Sequence, residues 1–537
     1  MTSIPSTLPT SESNLQSLVP QLAKADNSYD EVPYGSYPIA ASHPDRLHAV
    51  SKLFGLNPVP PENARILELG CAGGGNLLPI ASQFPNAICM GIELSEVQCE
   101  AANTAIDFVG LKNIKIKQGS IADITPELGK FDYILCHGVF SWVPESVREA
   151  ILRVSSENLL SDGVVYISYN TMPGWYLRGM VRDMMLRHVE GIQDSASKIA
   201  QARAMLSFLV KSSQANKTPY AEYLRAEAAF LDKQPDLYLF HDHLEEYNKP
   251  YFFQDFIRFA SRFGLQFLGE SNLATMWIGN LSTETSQKLA TIQDGVVSGH
   301  YMDCIVGRSF RETLLVHSGK PISRNLAPDR FDDIRFCGRF QEEPSIELND
   351  RKEYKTQNGQ TIFASEKPTQ LALEALSAAF PGSLTLEQVS TAMEAGLDSS
   401  RSTATVNKQQ MSTTLMQWSL AGYIDFRFQE DRFQVRGFEK PKISSWTRCQ
   451  ARAGRHVTNL RHELLFITDV QRHILLLLDG TRDIHAIASA IGAMIENGTI
   501  KVTEGQPLGR KAREFPLRIA EQTVEEFGKR GLFLPSR

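Results

Sequence analysis

Several things are scarce in this 537-residue sequence, and each shortage excludes a class of protein. The seven cysteines are odd in number, scattered and without a Cys-x-x-Cys pair. That leaves neither a disulfide frame nor a zinc site, and the thiols read as small core residues of a reducing compartment. No apolar run approaches the length of a membrane span; Ile474 to Leu478 is one of the longest. The opening residues, Met1-Thr-Ser-Ile-Pro-Ser, carry neither a positive n-region nor an apolar core, so no signal peptide is expected. Excess base is missing too: 55 Lys and Arg against 61 Asp and Glu leave a formal charge of -6. Such a surface offers nothing to nucleic acid or to an anionic membrane, and no membrane insertion is expected. At 42% hydrophobic and 22% charged residues the composition is that of ordinary globular domains, and a cytoplasmic protein of several folding units is the expectation.

What is present is concentrated in the run Ala64-Arg-Ile-Leu-Glu-Leu-Gly-Cys-Ala-Gly-Gly-Gly-Asn76. Ile66, Leu67 and Leu69 read as a buried strand that stops at a turn containing Gly70, Cys71, Ala72 and Gly74, and Asn76 opens a helix. Glu68 precedes the turn, and a second carboxylate, Glu93, ends the next hydrophobic strand just before Leu94. In an open parallel sheet ligands bind where strands end at their carboxyl edge. Two carboxylates there, with bare backbone between them, suit a ligand carrying an ammonium group and a ribose diol, a description that S-adenosylmethionine fits. Glu68 would take the amino-acid end and Glu93 both ribose hydroxyls. The competing reading is a dinucleotide fingerprint, which also places an acid about twenty residues past a glycine-rich turn. Ala72 stands where either pattern usually has its second glycine. A carboxylate directly before the turn is unwelcome to a pyrophosphate, however, which favours the methyl donor. The bland alternative is that the glycines serve only a tight turn.

Strands are expected near Arg65–Leu69, Ala87–Glu93, Ile114–Gln118, Tyr133–Cys136 and Val164–Tyr169, separated by helical patterns at Glu96–Phe108 and Ser146–Leu159. This alternation predicts an α/β fold with a Rossmann-like, doubly wound parallel sheet. A mostly helical stretch follows, with Leu265–Leu268 as a sixth strand. The later strand ends supply the remaining candidates. Ser120 and Ile121 follow the third strand, where an adenine ring would lie. His137, Phe140 and Trp142 follow the fourth and would stand beside the sulfonium. Tyr169, Asn170 and Trp175 follow the fifth and would reach the pocket mouth. No (Asp/Asn)-Pro-Pro-(Tyr/Phe) run follows the fourth strand, which counts against a flipped nucleobase as substrate. His241 and His243 lie among Asp242, Glu245 and Tyr251. Residues two apart on a helix do not share a face, so no metal is expected there; a lid over the cofactor is the better reading.

Several uncommon strings occur in order: Tyr29-Asp-Glu-Val-Pro-Tyr34, His43-Pro-Asp-Arg46, Glu68-Leu-Gly-Cys-Ala-Gly-Gly-Gly-Asn76, His137-Gly-Val-Phe-Ser-Trp142, Tyr169-Asn-Thr-Met-Pro-Gly-Trp175, His241-Asp-His-Leu-Glu245 and Phe310-Arg-Glu-Thr-Leu-Leu315. Through them the chain resembles the bacterial class I methyltransferases with a methyltransferase regulatory domain, and is similar to rickettsial protein lysine methyltransferases that modify an outer membrane protein. The resemblance implies a core that binds S-adenosylmethionine, with Tyr34 and His43 on an N-terminal cap near the cofactor, and extra middle and C-terminal winged-helix domains.

The expected division is a disordered tail at 1–27, a methyltransferase core at 28–190, a helical middle domain returning to the sheet at 191–320, and winged-helix-like units at 321–430 and 431–537. In the first of these units three helices, Gln370–Phe380, Leu384–Met393 and Met411–Leu420, precede a strand. The stretch Val406–Leu420 holds only Lys408 as a clear base, which favours protein docking or a homodimer over DNA. The expected activity is methyl transfer to a protein, at lysine. Phe140, Trp142, Trp175 and Tyr251 would form an aromatic channel that desolvates the amine, and Asp242 or Glu245 would steer the cation in. The alternatives are a small-molecule methyltransferase whose C-terminal domains dimerise it, and a regulatory protein that binds cofactor without turnover.

Overall fold

The computed structural model describes residues 35–343, 351–399, 405–500 and 510–535. The expected tail at 1–27 and Tyr34 lie outside the described residues. Seven strands form the central sheet: β1 Arg65–Leu69, β2 Ile88–Glu93, β3 Ile114–Gln118, β4 Phe131–Cys136, β5 Leu159–Asn170, β6 Leu265–Glu270 and β7 Phe310–His317, in the order β3-β2-β1-β4-β5-β7-β6. β1 to β5 run parallel, and β7 is antiparallel to both β5 and β6. β4 and most of β5 are buried on both faces, as central parallel strands between helical layers must be, which explains their near-continuous apolar runs.

The helices of the first half include α1 Pro44–Leu53, α2 Leu77–Gln83, α3 Glu96–Val109, α4 Glu145–Glu157, α5 Trp175–His188, α6 Ser195–Ser212, α7 Pro219–Leu231, α8 Phe253–Ser261 and α9 Gly295–Val306, with further short ones at Asp236–Leu239 and Thr283–Ala290. α4 and α8 cover one face of the sheet with Phe256, Phe259 and Ile151. α5 to α7 and the residues up to Leu244 pack around a cluster of their own, with Val181, Leu206 and Leu224 buried.

β7 was not expected from the sequence. Its first half, Phe310-Arg-Glu-Thr313, is polar, yet Arg311 and Thr313 are buried. The explanation is a charge cluster. Arg311 donates to both Asp303 oxygens at 2.8 and 2.9 Å and to Glu270 Oε1 at 2.5 Å, with its guanidinium 3.5 Å from the Phe253 ring centre. Neutralised in this way, a polar segment can sit between β5 and β6.

In the second half, β8 Arg335–Cys337, β12 Leu384–Thr385 and β13 Asp425–Arg427 form an antiparallel sheet in the order β12-β8-β13, beside α10 Lys367–Ala379, α11 Leu386–Ser399 and α12 Lys408–Ala421. A second antiparallel sheet, β9 Phe340–Glu343, β10 Lys352–Thr356 and β11 Thr361–Ala364, is inserted before α10 and has no counterpart in the sequence reading. One hydrophobic cluster runs from Ile66 and Tyr166 on the sheet through Phe331 and Phe336 to Trp418, so no break in packing marks the expected boundary at residue 321. The last unit holds α13 Ser445–Ala453, β14 His456–Thr458, β15 Leu464–Phe466, α14 Asp469–Leu477, α15 Ile484–Glu496 and α16 Arg510–Lys529, around buried Ile443, Ile474, Ile487 and Phe527. No described helix is long and apolar enough to cross a membrane.

The Arg311 cluster makes a sharp prediction. Arg311→Ala strands Glu270 without a counter-charge and leaves Asp303 with Arg308 alone, and is expected to cost about 3–5 kcal/mol of stability in chemical denaturation. A loss below about 1 kcal/mol would show that the cluster does not hold β7 in place.

Candidate active site

The turn after β1 has most of its backbone donors committed. Gly70 and Cys71 donate to the Ile92 carbonyl at 2.8 and 3.2 Å, and Gly74 donates to the Cys71 carbonyl at 3.0 Å. Ala72 donates to Glu93 Oε2 at 2.8 Å and Gly75 to Ser36 Oγ at 2.6 Å. Amides used inside the protein cannot form the anion nest that a pyrophosphate needs, so the dinucleotide reading fails on its donors. Ala72 adopts φ 46°, the left-handed conformation that a glycine would take without strain. Gly75 is required for a different reason: a Cβ there would overlap the Ser36 carbonyl. Cys71 is buried with its sulfur against Gly91, so it presents backbone only.

Glu68 is 4% exposed. Its Oε1 accepts from Asn76 Nδ2 at 2.7 Å, while Oε2 is buried with no partner. Burial pushes the Glu68 carboxyl up to about 8; the Asn76 hydrogen bond opposes this and the charge of Glu93 adds to it. Glu93, half-buried at the end of β2, also accepts from the Ser95 amide at 2.9 Å. Each of its oxygens keeps a further lone pair. Beside it Leu94 is 51% exposed, an apolar surface at the strand end. Ser120 caps a short turn by accepting from the Ala122 amide at 3.2 Å, and Ile121 is mostly spent on the core next to Leu69 and Ile92. A buried, unpartnered carboxylate oxygen and a second carboxylate with spare acceptors, with no base among Gly70–Asn76 or Glu93–Ser95, fit an ammonium and a diol.

His137, at the end of β4, has Nδ1 2.8 Å from the Tyr166 hydroxyl, which donates to Glu312 Oε1 at 3.0 Å. With the single hydroxyl proton directed at Glu312, Nδ1 carries the imidazole proton and Nε2 keeps its lone pair. Burial lowers His137 to about 4, so the ring is neutral at pH 7. Tyr166, Ser168 and Asn170 share one face of β5. Ser168 Oγ accepts from the Gly138 amide at 2.8 Å, and Asn170 Nδ2 donates to Asn248 Oδ1 at 3.1 Å. The sequence reading missed Tyr166, Glu312 and Asn248. The signal for Tyr166 was there, since polar groups at every second position of an otherwise apolar strand need partners.

Other expected site residues are placed differently. Phe140 and Tyr169 are fully buried: Tyr169 stacks on Phe256 at 3.9 Å and Phe140 meets the same ring edge-on at 5.3 Å. They fill the layer under α8 and do not line a channel, because β5 alternation sends Tyr169 to the face opposite Tyr166. Tyr251 is half-buried against Phe140, and its amide donates to the Asn170 carbonyl at 2.9 Å. Trp142 and Trp175 pack edge-to-face at 5.9 Å; Trp142 keeps partial exposure and Trp175 is buried. Asp242 and Glu245 lie among partners from within the chain. Glu245 faces His241 at 3.4 Å, His243 and Arg178 converge on Glu227 at 3.4 and 3.3 Å, and Asp242 stands beside His243 and Arg178 with its carboxyl raised to about 6 by burial. These charges join the π-helical turn Phe240–Leu244 to α5 and α7. Among the described residues no group of three or more His, Cys, Asp and Glu is arranged to hold a metal. His43 caps α1, with Nδ1 accepting from the Asp45 amide at 3.4 Å, and has its ring 4.9 Å from that of His462. Its neighbour Ser42 accepts from Asn76 Nδ2 at 3.0 Å.

Comparison with known proteins bears on this geometry. Residues 66–163 match a family described as methyltransferase domain, 235–317 a predicted methyltransferase regulatory domain, and 439–532 a PKMT C-terminal winged helix domain. The uncharacterized protein RP789 of Rickettsia prowazekii is 39% identical over 496 residues, covering 90% of this chain and 89% of the relative. The solved structure of PKMT2 from Rickettsia typhi superposes with a TM-score of 0.85 at 31% identity, covering 94% of this chain and 100% of that one. The same protein in complex with AdoHcy gives a TM-score of 0.84. The sheet order, the paired carboxylates and these similarities agree: the chain belongs to the class I S-adenosylmethionine-dependent methyltransferases that carry a regulatory domain and a PKMT-type C-terminal winged helix.

Proposed function

We propose that this methyltransferase modifies protein, at the side-chain nitrogen of lysine. The observation that carries the acceptor class is the extent of the likeness to PKMT2, which spans 94% of this chain rather than the methyltransferase core alone.

S-adenosylmethionine supplies a methyl group on a positively charged sulfur, so the donor is activated before it binds. The protein's work is then to hold, orient and exclude water. Glu68, through its free Oε2, receives the ammonium of the donor, and Glu93 receives the ribose hydroxyls; the Gly70–Asn76 turn and Leu94, Ser120 and Ile121 frame the nucleoside. His137 is held neutral with its Nε2 lone pair free, so it can accept a hydrogen bond from an incoming amine without adding a positive charge beside the sulfonium. Tyr166 and Glu312 keep that tautomer in place. A lysine must arrive unprotonated to attack, and the partly exposed Trp142 supplies an apolar approach that disfavours the ammonium form.

Three outcomes test this reading. With labelled donor and cell lysate, label should be recovered on protein lysines by mass spectrometry; label found only in small metabolites would reject the acceptor class. Glu93→Ala should weaken S-adenosylmethionine binding by about 1.5–3 kcal/mol in calorimetry, with Glu93→Gln intermediate. Tyr166→Phe should lower kcat by about tenfold to a hundredfold while leaving cofactor affinity near that of the native chain; an unchanged kcat removes the His137 tautomer from the mechanism.

The raised Glu68 value adds a pH dependence of known sign. The folded, ligand-free chain holds a proton on Glu68 that the unfolded chain releases near 4.5, so this contribution to stability is lost as pH rises toward 8. An ammonium prefers the ionised carboxylate, so cofactor affinity should increase across the same window with release of a proton, measurable by calorimetry in two buffers of different ionisation enthalpy. Glu68→Gln should abolish both slopes.

A further inference from the structure

The C-terminal unit reaches the cofactor cradle through one side chain. Asn76 occupies the first position before α2, where an asparagine side chain usually caps its own helix, yet it makes no such bond. Its amide is used elsewhere. Nδ2 donates to Glu68 Oε1 at 2.7 Å and to Ser42 Oγ at 3.0 Å, and Oδ1 accepts from the Ile39 amide at 2.9 Å. The remaining partner is His462 Nε2, 2.7 Å from Oδ1, from the loop between β14 and β15 and 386 residues away in sequence. Because Oδ1 can only accept, His462 carries its proton on Nε2, and Nδ1 is left buried without a partner. His462 also adopts φ 62°, a conformation costly for a residue with a side chain, and is 2% exposed. A strained backbone and an orphaned ring nitrogen are thus maintained together with one hydrogen bond into the core.

The surroundings make that bond sensitive to how the unit is seated. α13 packs on α2 and α3, the two helices that follow the Gly70–Asn76 turn and Glu93. Arg452 lies over Phe108 at 5.0 Å, and Tyr37 of the N-terminal cap meets His456 edge-on at 5.4 Å. On the other side the seam is not filled: a cavity of about 210 Å³ opens among His43, Arg46, Glu312, Asp425 and Arg461. The unit therefore packs on the cofactor-bearing helices and borders free volume at Arg461 and Glu463, the chain neighbours of His462.

We propose that the C-terminal winged-helix unit is energetically coupled to S-adenosylmethionine binding through His462, Asn76 and Glu68, with His462 as a positioning residue. Seating of the unit holds the Asn76 amide in the orientation that fixes Glu68 Oε1 and leaves Oε2 free. Displacement of the unit releases Asn76 and with it the carboxylate. The proposal rests on the reading of Glu68 as the ammonium partner. Coupling is reciprocal, so a bound cofactor must also tighten the seating of the unit.

The test uses the full chain and S-adenosylhomocysteine as probe. His462→Ala should weaken binding about tenfold in calorimetry, and His462→Gln, which restores an N–H donor, should recover most of it. Hydrogen exchange at residues 445–463 should slow when the probe is added to the native chain. Glu68→Gln separates two kinds of failure. If Glu68→Gln binds normally, the reading of Glu68 is wrong. If Glu68→Gln weakens binding but His462→Ala does not, the coupling alone is overturned. Should His462→Ala not fold, the exchange experiment on the native chain decides, and no slowing at 445–463 overturns the proposal.

Discussion

The hydrogen bond from Asn76 Nδ2 to Glu68 Oε1 is the contact on which the site depends. A carboxylate this deeply buried is tolerated only if its acceptors are met, and Asn76 meets one oxygen while the other waits. The same amide holds the N-terminal cap through Ile39 and Ser42 and the C-terminal unit through His462. Three segments remote in sequence therefore share one buried polar junction. Such junctions give orientation more than net stability, because each member is costly when its partner is lost.

A second constraint comes from the sheet itself. Inserting β7 antiparallel between β5 and β6 brings its first residues to the edge where the parallel strands end. Glu312 thereby reaches Tyr166, and Tyr166 reaches His137. Glu312, which fixes the Tyr166 hydroxyl that faces His137, belongs to the regulatory stretch at 235–317, not to the first half of the sheet. The regulatory stretch is thus part of the site's architecture. The polar start of β7 is sustained only because Arg311 is surrounded by Asp303 and Glu270.

Much of the core was legible from local pattern. β1 and β3 fall where expected, β4 and β5 contain their expected spans, and α3 and α4 agree to within two residues at either end. β7 was hidden because half of it is polar, and the β9–β11 sheet because its strands are short and carry charge. Glu68 and Glu93 stand out in the sequence because a carboxylate at the end of a buried strand is locally anomalous. Phe140 and Tyr169 were misplaced because an aromatic near a strand end reads alike whether it faces the crevice or the opposite layer. Asp242 and Glu245 read alike in sequence whether they face solvent or the interior; the contact of Glu245 with His241 and the burial of Asp242 arise only once this turn packs in the folded chain.

The sequence by itself determined the parallel α/β core and the presence of two acids at its carboxyl edge, since strand periodicity and a carboxylate before a glycine turn are short-range signals. Only the tertiary structure decided which polar groups are satisfied: the loop amides committed to Ile92, Glu93 and Ser36, the His137 tautomer, and the reach of His462 into the cradle. The physical reason is that hydrogen-bond satisfaction of a buried group depends on partners tens to hundreds of residues away, and no local pattern encodes a distance.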